Sequence, residues 1–421
     1  MPDGAASLTD DLVLCNRERA AAVMDKYGLD GLVAAEARNV YYLSNFTSNI
    51  MWNWTWTSFA ILPRDPKTPP TLLCSNLDLP VLIANPTWMP NVVGFALFMG
   101  GTDEPQKRPF KPTQAPGSTL RPYERKAMAL YEATPAIVAK TSESLVAAAL
   151  KDLRLETKTL GFDDVRLSGR IVAHHLPRIS AVDARDIMRE IRMVKTEPEI
   201  KLLRHAARIN EQAQMAAIRA TKVGATWDDL LKVYQIEMIK LGGKPVYMIR
   251  GAGELSGVRV QITDYPIKAG DFVFYDSLGE YRHYKADIGR TAVLGTAPPE
   301  YRRTYEAMRA GWEEGCRRVR PGMMSTELAD IITEACQKAG YPDYMSRAAG
   351  PHSLGLEHFD HPQFDGFYQP FRIEENCVLN VDMPLLIYGR DAMHLEDTVV
   401  VRKDGIEFLT SNQTGMVEIP V

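Results

Sequence analysis

The stretch FVFYDSLGEYRHYKADIGRT (272–291) decides how this chain is read. Apolar Phe272 to Tyr275 deliver Asp276 at a strand end, and Asp287 follows eleven residues on, in the next strand-like run. A hairpin here could set the two carboxylates opposite each other. Taken alone, such a pair is more often one turn aspartate and one ion-paired aspartate. Three other stretches add weight. GPHSLGLEHFDHP (350–362) holds His352, His358 and His361, three of the eight histidines in the chain. NCVLNVDMP (376–384) puts Val378, Asn380 and Asp382 on one strand face, and HLEDTVVV (394–401) does the same for Glu396, Thr398 and Val400. Separately, these read as a His-rich surface loop and an edge-strand glutamate.

Together they place four carboxylates and an imidazole at the ends or faces of strands of one sheet. If they converge, the acids cannot all ionise unaided, because like charges raise one another's pKa. Two divalent cations would balance four carboxylates. Oxygen ligands with one His suit Mn, Fe, Co or Zn better than a thiolate-selected metal. Two such ions ~3.5–4 Å apart can activate a water and polarise a carbonyl.

Working outward, Thr196-Glu197-Pro198-Glu199 is a capping box with proline in the first helical turn. It opens a helix through Ile200, Leu203 and Ala207 that Gly224 is expected to close. Upstream lies the expected boundary, giving an N-terminal domain over 1–185 and a catalytic domain over 186–421. In the first domain Asn16 should cap a helix over 17–27 ended by Gly28. ARNVYYLSNF (37–46) reads as strand or turn, and residues 124–153 read as helical. Trp52, Trp54 and Trp56 alternate with polar residues, which predicts one face of a strand. The pattern for the second domain is an α+β arrangement of helices enclosing a mostly antiparallel sheet.

Composition narrows the class. The 421 residues carry 49 Lys and Arg against 53 Asp and Glu, a net charge of −4, which argues against a nucleic-acid binder. No apolar run approaches the ~20 residues of a membrane helix, so no membrane partner is expected, and the polar N-terminus does not read as a secretory signal. The five cysteines (Cys15, Cys74, Cys316, Cys336, Cys377) are scattered with no CxxC pair, as in a reduced, cytoplasmic protein.

The ordered set Asp276, Asp287, His352, Asp382 and Glu396, with the HSLGLEH and LEDTVVV stretches around it, resembles the pita-bread metallopeptidases: methionine aminopeptidase, aminopeptidase P, prolidase and their relative creatinase. The segment IRMVKTEPEIKLLRHAARI (191–209) resembles the helix that opens their catalytic domain, and ARNVYYLSNF resembles the creatinase and prolidase N-domain. The resemblance implies a pita-bread C-terminal domain behind a smaller α/β N-terminal one, two divalent metal ions on those five residues, a small-molecule or dipeptide-like substrate, and a homodimer. Two departures stand out. Asp382 occupies a position where hydrolytic members have Glu, one methylene longer. Arg259, in GVRVQIT, lies near the family's first substrate histidine; it cannot cycle a proton near neutral pH but can grip a carboxylate. The family's second histidine matches either His358 or His361.

The implied activity is Xaa-Pro dipeptidase-like or aminopeptidase P-like hydrolysis of a C–N bond. Asp382 or Glu396 would take the proton from water, and His358 or His361 would steady the intermediate. Arg259 and the three tryptophans would contact substrate; packing is the commoner role for such rings. Alternatives are a metal-dependent lyase of the dimethylsulfoniopropionate-cleaving type, metal-free creatinase-like hydrolysis, against which Asp276 and Asp287 tell, and a silent binding module.

Overall fold

The computed structural model describes residues 13–97, 102, 104–108, 112–249, 251–258, 262–341, 350–363, 369–411 and 415–421. Arg259 therefore lies outside the described residues. The chain forms two compact units, Met1–Ile191 and Arg192–Val421.

The first unit is built on an eight-stranded mixed sheet. Its elements are α1 (Arg17–Tyr27), β1 (Gly31–Ala34), α2 (Ala37–Ser44), α3 (Asn49–Asn53), β2 (Ser58–Pro63), β3 (Thr71–Ser75), β4 (Asn91–Phe95), β5 (Gln106–Lys107), α4 (Pro122–Ala133), β6 (Ala136–Val138), α5 (Ser142–Asp152), β7 (Thr159–Phe162), α6 (Val165–His174) and β8 (Ser180–Asp183), with α7 (Arg185–Met193) next in the chain. The strand order is β5-β6-β4-β3-β2-β1-β7-β8. As the sequence predicts, Asn16 caps α1 through a 3.1 Å bond from the Arg19 amide. Gly28 ends it in the left-handed conformation, at φ 64°.

Three expectations for this unit need correction. ARNVYYLSNF is helical over α2, and Asn45 closes it at φ 64°; burial of its aromatic run in a helix–sheet contact outweighs the β-propensity of Val40, Tyr41 and Tyr42. The helical stretch proposed for 124–153 is broken at Thr134-Pro135, where β6 intervenes. The tryptophan segment is not a strand. The Ser48 hydroxyl accepts from the Met51 amide at 3.0 Å and starts α3. Trp54 is the residue after that helix, and Trp56 sits in a turn at φ 59°. A local cap thus overrides a period-two pattern only five residues long.

The second unit contains α8 (Glu197–Ala220), α9 (Trp227–Lys240), β9 (Lys244–Ile249), β10 (Phe272–Tyr281), β11 (Tyr284–Leu294), α10 (Pro299–Arg318), α11 (Ser325–Lys338), β12 (His352–Ser353), β13 (Val378–Leu385), β14 (Met393–Arg402), β15 (Gly405–Phe408) and β16 (Val417–Ile419). The sheet runs β12-β13-β14-β11-β10-β9, with β15 on β14 and β16 on β11. The capping box at Thr196 is formed: Glu199 N donates to Thr196 Oγ1, and Thr196 N donates to Glu199 Oε2 at 2.8 Å. The helix it opens stops at Ala220, short of Gly224.

Helix α8 fixes the β10–β11 hairpin from behind. Asn210 Nδ2 donates to Ser277 O at 2.7 Å and Ala286 O at 3.1 Å. One turn on, Gln214 Nε2 donates to Ile288 O at 2.8 Å. These bonds hold both strands at the residues that flank Asp276 and Asp287. The hairpin closes over Arg282 and His283, both left-handed at φ 47° and 70°, the tight turn whose twist matches its strands.

Candidate metal centre

Cross-strand register assembles the site. Asp276 pairs with Gly289, Gly289 with Glu396, and Glu396 with Asp382, so these four positions form one row across β10, β11, β14 and β13. Paired residues of neighbouring antiparallel strands share a face. In the next row Asp287 pairs with Leu278, and His352 pairs with Asn380. Asp276 and Asp287 are thus diagonal neighbours on one face, not directly opposed as the simplest hairpin suggests. All five expected ligand positions converge on this face.

The floor is dry. Asp287, His352 and Glu396 are no more than 2% exposed. Asp382 and His358 form the rim, with side chains 26% and 29% exposed. His352 Nε2 lies 3.7 Å from Glu396 Oε1. His358 Nε2 lies 2.6 Å from Asp287 Oδ2, and its Nδ1 lies 3.2 Å from the Tyr247 hydroxyl. His361, the other histidine considered for catalysis, faces elsewhere: its Nδ1 lies 3.4 Å from Ser353 N and its ring packs on Phe371 at 4.4 Å.

One site residue was missed. His394, 1% exposed, sits two positions before Glu396 on the same strand face. Its Nε2 is 2.8 Å from Asp382 Oδ1 and 3.7 Å from Glu396 Oε2. The His-x-Glu alternation in β14 is the sequence signal for it, since residues two apart on a strand share a face. Asn380 also serves the site, donating to Glu396 Oε1 at 2.8 Å.

The tryptophans do not share one strand face. Trp52 Nε1 donates to Thr47 Oγ1 at 2.9 Å, and Trp56 Nε1 donates to Asp164 Oδ2 at 2.9 Å beneath the Arg170 guanidinium. Trp54 is 50% exposed. The three rings nevertheless line one pocket of about 200 Å³ with Glu36, Arg38 and Asp164.

The electrostatics of the metal face are those of a site short of positive charge. Burial, then the neighbouring Asp276 and Asp382, pushes the Asp287 pKa well above the carboxylate range. Burial, then Asp287 and Asp382, does the same to Glu396. Burial holds His352 neutral, with a pKa lowered to about 3. For Asp382 burial works upward, but the His394 hydrogen bond and charge outweigh it and hold the carboxyl below its usual value. His394 is raised to about 9, its burial outweighed by Asp382 and the other acids.

A divalent cation fits this donor set. Among the described residues, Asp287 Oδ1 and Glu396 Oε2 are buried acceptors with no donor, an arrangement that is costly unless a cation completes it. Donor atoms of Asp287, His352 and His358, of Asp276, His394 and Glu396, and of His352, Asp382 and Glu396 each cluster within 4.8 Å. Carboxylate oxygen with imidazole nitrogen is the donor chemistry of Mn, Fe, Co or Zn.

Residues 185–403 match metallopeptidase family M24, and the chain belongs to that family. It is similar to the Xaa-Pro dipeptidase of Pyrococcus furiosus, 29% identical over 273 residues that cover 62% of this chain and 76% of that relative. Among solved structures, prolidase from Pyrococcus furiosus superposes with a TM-score of 0.67 at 22% identity, covering 93% of this chain and 99% of that one. An Xaa-Pro dipeptidase from Bacillus anthracis gives a TM-score of 0.71 at 18% identity, covering 96% and 99%. The fold is the α+β pita-bread architecture of these enzymes, and family membership implies use of divalent metal. Among the described residues no helix is long and apolar enough to cross a membrane.

Proposed function

We propose that the chain is a dinuclear metal-dependent dipeptidase that hydrolyses the C–N bond of a small Xaa-Pro-type peptide. The observation that carries this reading is the row of Asp276, Glu396 and Asp382, joined by Asp287 and His352, in which buried oxygens of Asp287 and Glu396 lack donors. Asp276, Asp287, His352, Asp382 and Glu396 would hold two divalent ions, Mn, Fe, Co or Zn. Those ions, when bound, supply an activated water and a polarised carbonyl.

The protein's own part follows from position. Asp382 is at the rim with its pKa held low, so it is ionised at neutral pH and placed to take a proton from the attacking water. Glu396, only 1% exposed and with its pKa pushed up, is less suited. His358, at the same rim, is the histidine we assign to the scissile carbonyl; Tyr247 beside its Nδ1 fixes its direction. His361 supports the β12 backbone instead. Arg259 is proposed to grip the peptide carboxylate. The Trp52–Trp54–Trp56 pocket is proposed to form a substrate wall in a homodimer, with Trp54 the most open ring.

The test is an assay of the purified chain on a panel of Xaa-Pro dipeptides, small N-acyl compounds and dimethylsulfoniopropionate, with and without chelator. Dipeptide turnover that chelation removes and Asp287→Ala abolishes is expected. Undiminished turnover after chelation would overturn the metal reading. Volatile sulfide release in place of dipeptide cleavage would overturn the hydrolase reading in favour of a lyase.

A further inference from the structure

We propose that His394 is itself a metal ligand, so that each of the two cations is held by its own imidazole: His352 for one and His394 for the other. The inference rests on the dinuclear reading above and adds a sixth residue to it.

The first support is the direction of the ring. His394 Nδ1 lies 3.0 Å from the Tyr275 carbonyl oxygen. A carbonyl only accepts, so Nδ1 must carry the hydrogen, and the electron pair of the neutral ring is on Nε2. That atom points at Asp382 Oδ1, 2.8 Å away, with Glu396 Oε2 at 3.7 Å. Together with Asp276 and Glu396 it forms a group of donors within 4.8 Å of one another. Electron pairs facing each other this closely need a cation among them, and only a proton on Nε2 or a metal ion can supply it. Bonding the far ring nitrogen to a backbone carbonyl is also how ligating histidines are commonly oriented.

The second support is the space made for the ring. Gly289 stands in the acid row between Asp276 and Glu396. A Cβ there would come within 2.3 Å of His394 Cε1 and Nδ1. The imidazole fills the place of the missing side chain and stacks on Phe274, with centroids 4.5 Å apart and planes 1° apart. Both contacts, with the Tyr275 carbonyl bond, fix the ring where it faces the acids.

The third support is the donor set. The groups His352–Asp382–Glu396 and Asp276–His394–Glu396 share Glu396, so two cations held there would have that carboxylate in common. Asp382, shorter by one methylene than the glutamate of hydrolytic relatives, leaves room that an extra nitrogen can fill. A set with two imidazoles also leans toward Zn, Fe or Co over Mn.

The test uses the full-length chain. Apo wild type and His394→Gln are titrated calorimetrically with Zn²⁺, and the imidazole count of each loaded form is read by X-ray absorption. Two ions in wild type are expected. In His394→Gln, one imidazole is lost and one binding step weakens by more than about tenfold, with the second step and the near-UV circular dichroism of the apo chain retained. The rival is an imidazolium paired with Asp382. Removing that positive charge would leave binding unchanged or tighter, with an unaltered imidazole count, and this result overturns the proposal. Absence of any ion in wild type overturns the dinuclear reading together with this one. Should the variant not fold, the zinc-soaked wild-type crystal decides: zinc at about 2.0–2.1 Å from His394 Nε2 supports ligation, and zinc bound elsewhere in the cage with His394 still on Asp382 refutes it.

Discussion

Two clusters of buried carboxylates in the second unit are treated in opposite ways. Asp360, 1% exposed, sits between Arg192 and Lys195, which are equally buried. Arg192 Nη2 reaches Asp360 Oδ1 at 2.7 Å and Lys195 Nζ reaches Oδ2 at 2.8 Å. Burial pushes the Asp360 pKa up, but the two cations outweigh it and hold the carboxyl far below its usual range. At the metal face, Asp287 and Glu396 are just as buried, yet their pKa values are driven upward. The difference is who supplies the counter-charge. In the first cluster the chain does. In the second, the chain sets four acids against the single charged imidazole of His394, and leaves the rest of the counter-charge to solution. Buried acids that outnumber the protein cations beside them are a signature of a site that binds ions.

Substituting Asp360 should show the largest effect. Asp360→Asn removes the anion shared by Arg192 and Lys195, leaving Arg192 only Glu357, and should cost about 3–5 kcal/mol, read as the shift in a denaturant unfolding midpoint whether or not metal is present. An unchanged midpoint would break the contrast from its protein-neutralised side.

Metal should matter next, and only at the other cluster. Each divalent ion held at about a hundredfold over its Kd should raise the unfolding free energy of the wild type by roughly 3 kcal/mol. Asp287→Asn should lose that gain while its apo form melts no lower than apo wild type, because one of four mutually repelling acids is gone. A large apo destabilisation in Asp287→Asn would mean that the cage is held by internal bonds rather than waiting for ions.

Much of this contrast was legible in the sequence. Asp276, Asp287, Asp382 and Glu396 fall in apolar strands where alternation fixes the face, and the Thr196 capping box marks the helix that backs them. Other features depend on contacts remote in the chain. His394 matters only because Gly289, more than a hundred residues earlier, vacates the space its ring fills. His358 and His361 lie in an irregular segment after β12, where no period dictates direction. The Trp52–Trp56 pattern misled because a serine cap outweighed an alternation too short to resist it, and ARNVYYLSNF misled because burial, not propensity, selects its helix.

A smaller effect should appear in pH dependence. Glu199, 1% exposed, adjoins the Asp360 cluster and accepts from the Tyr284 hydroxyl at 3.0 Å. Burial raises its pKa to about 7, more than the nearby Lys195 lowers it. The folded chain therefore keeps a proton that the unfolded chain releases from about pH 4.5 upward, so this group's contribution to stability falls between about pH 4.5 and 7. Glu199→Gln should flatten that part of the melting-temperature profile. Asp360, whose pKa is depressed, works with the opposite sign: its contribution is lost as pH falls below the ordinary carboxylate range. An unaltered slope in Glu199→Gln would show that Glu199 is ionised beside Lys195.

The smallest stability effect is expected at the exposed ring. Trp54→Ala should change unfolding free energy by no more than about 0.5 kcal/mol while raising KM for dipeptide; an unchanged KM would confine the tryptophan pocket to a structural role.

The most direct measurement counts divalent ions and dipeptide turnover on the same purified sample as ions are stripped and returned. Two ions per chain, with activity that falls as they leave and recovers as they come back, is the predicted result. A fully stripped chain that still cleaves Xaa-Pro dipeptide at the original rate would contradict it.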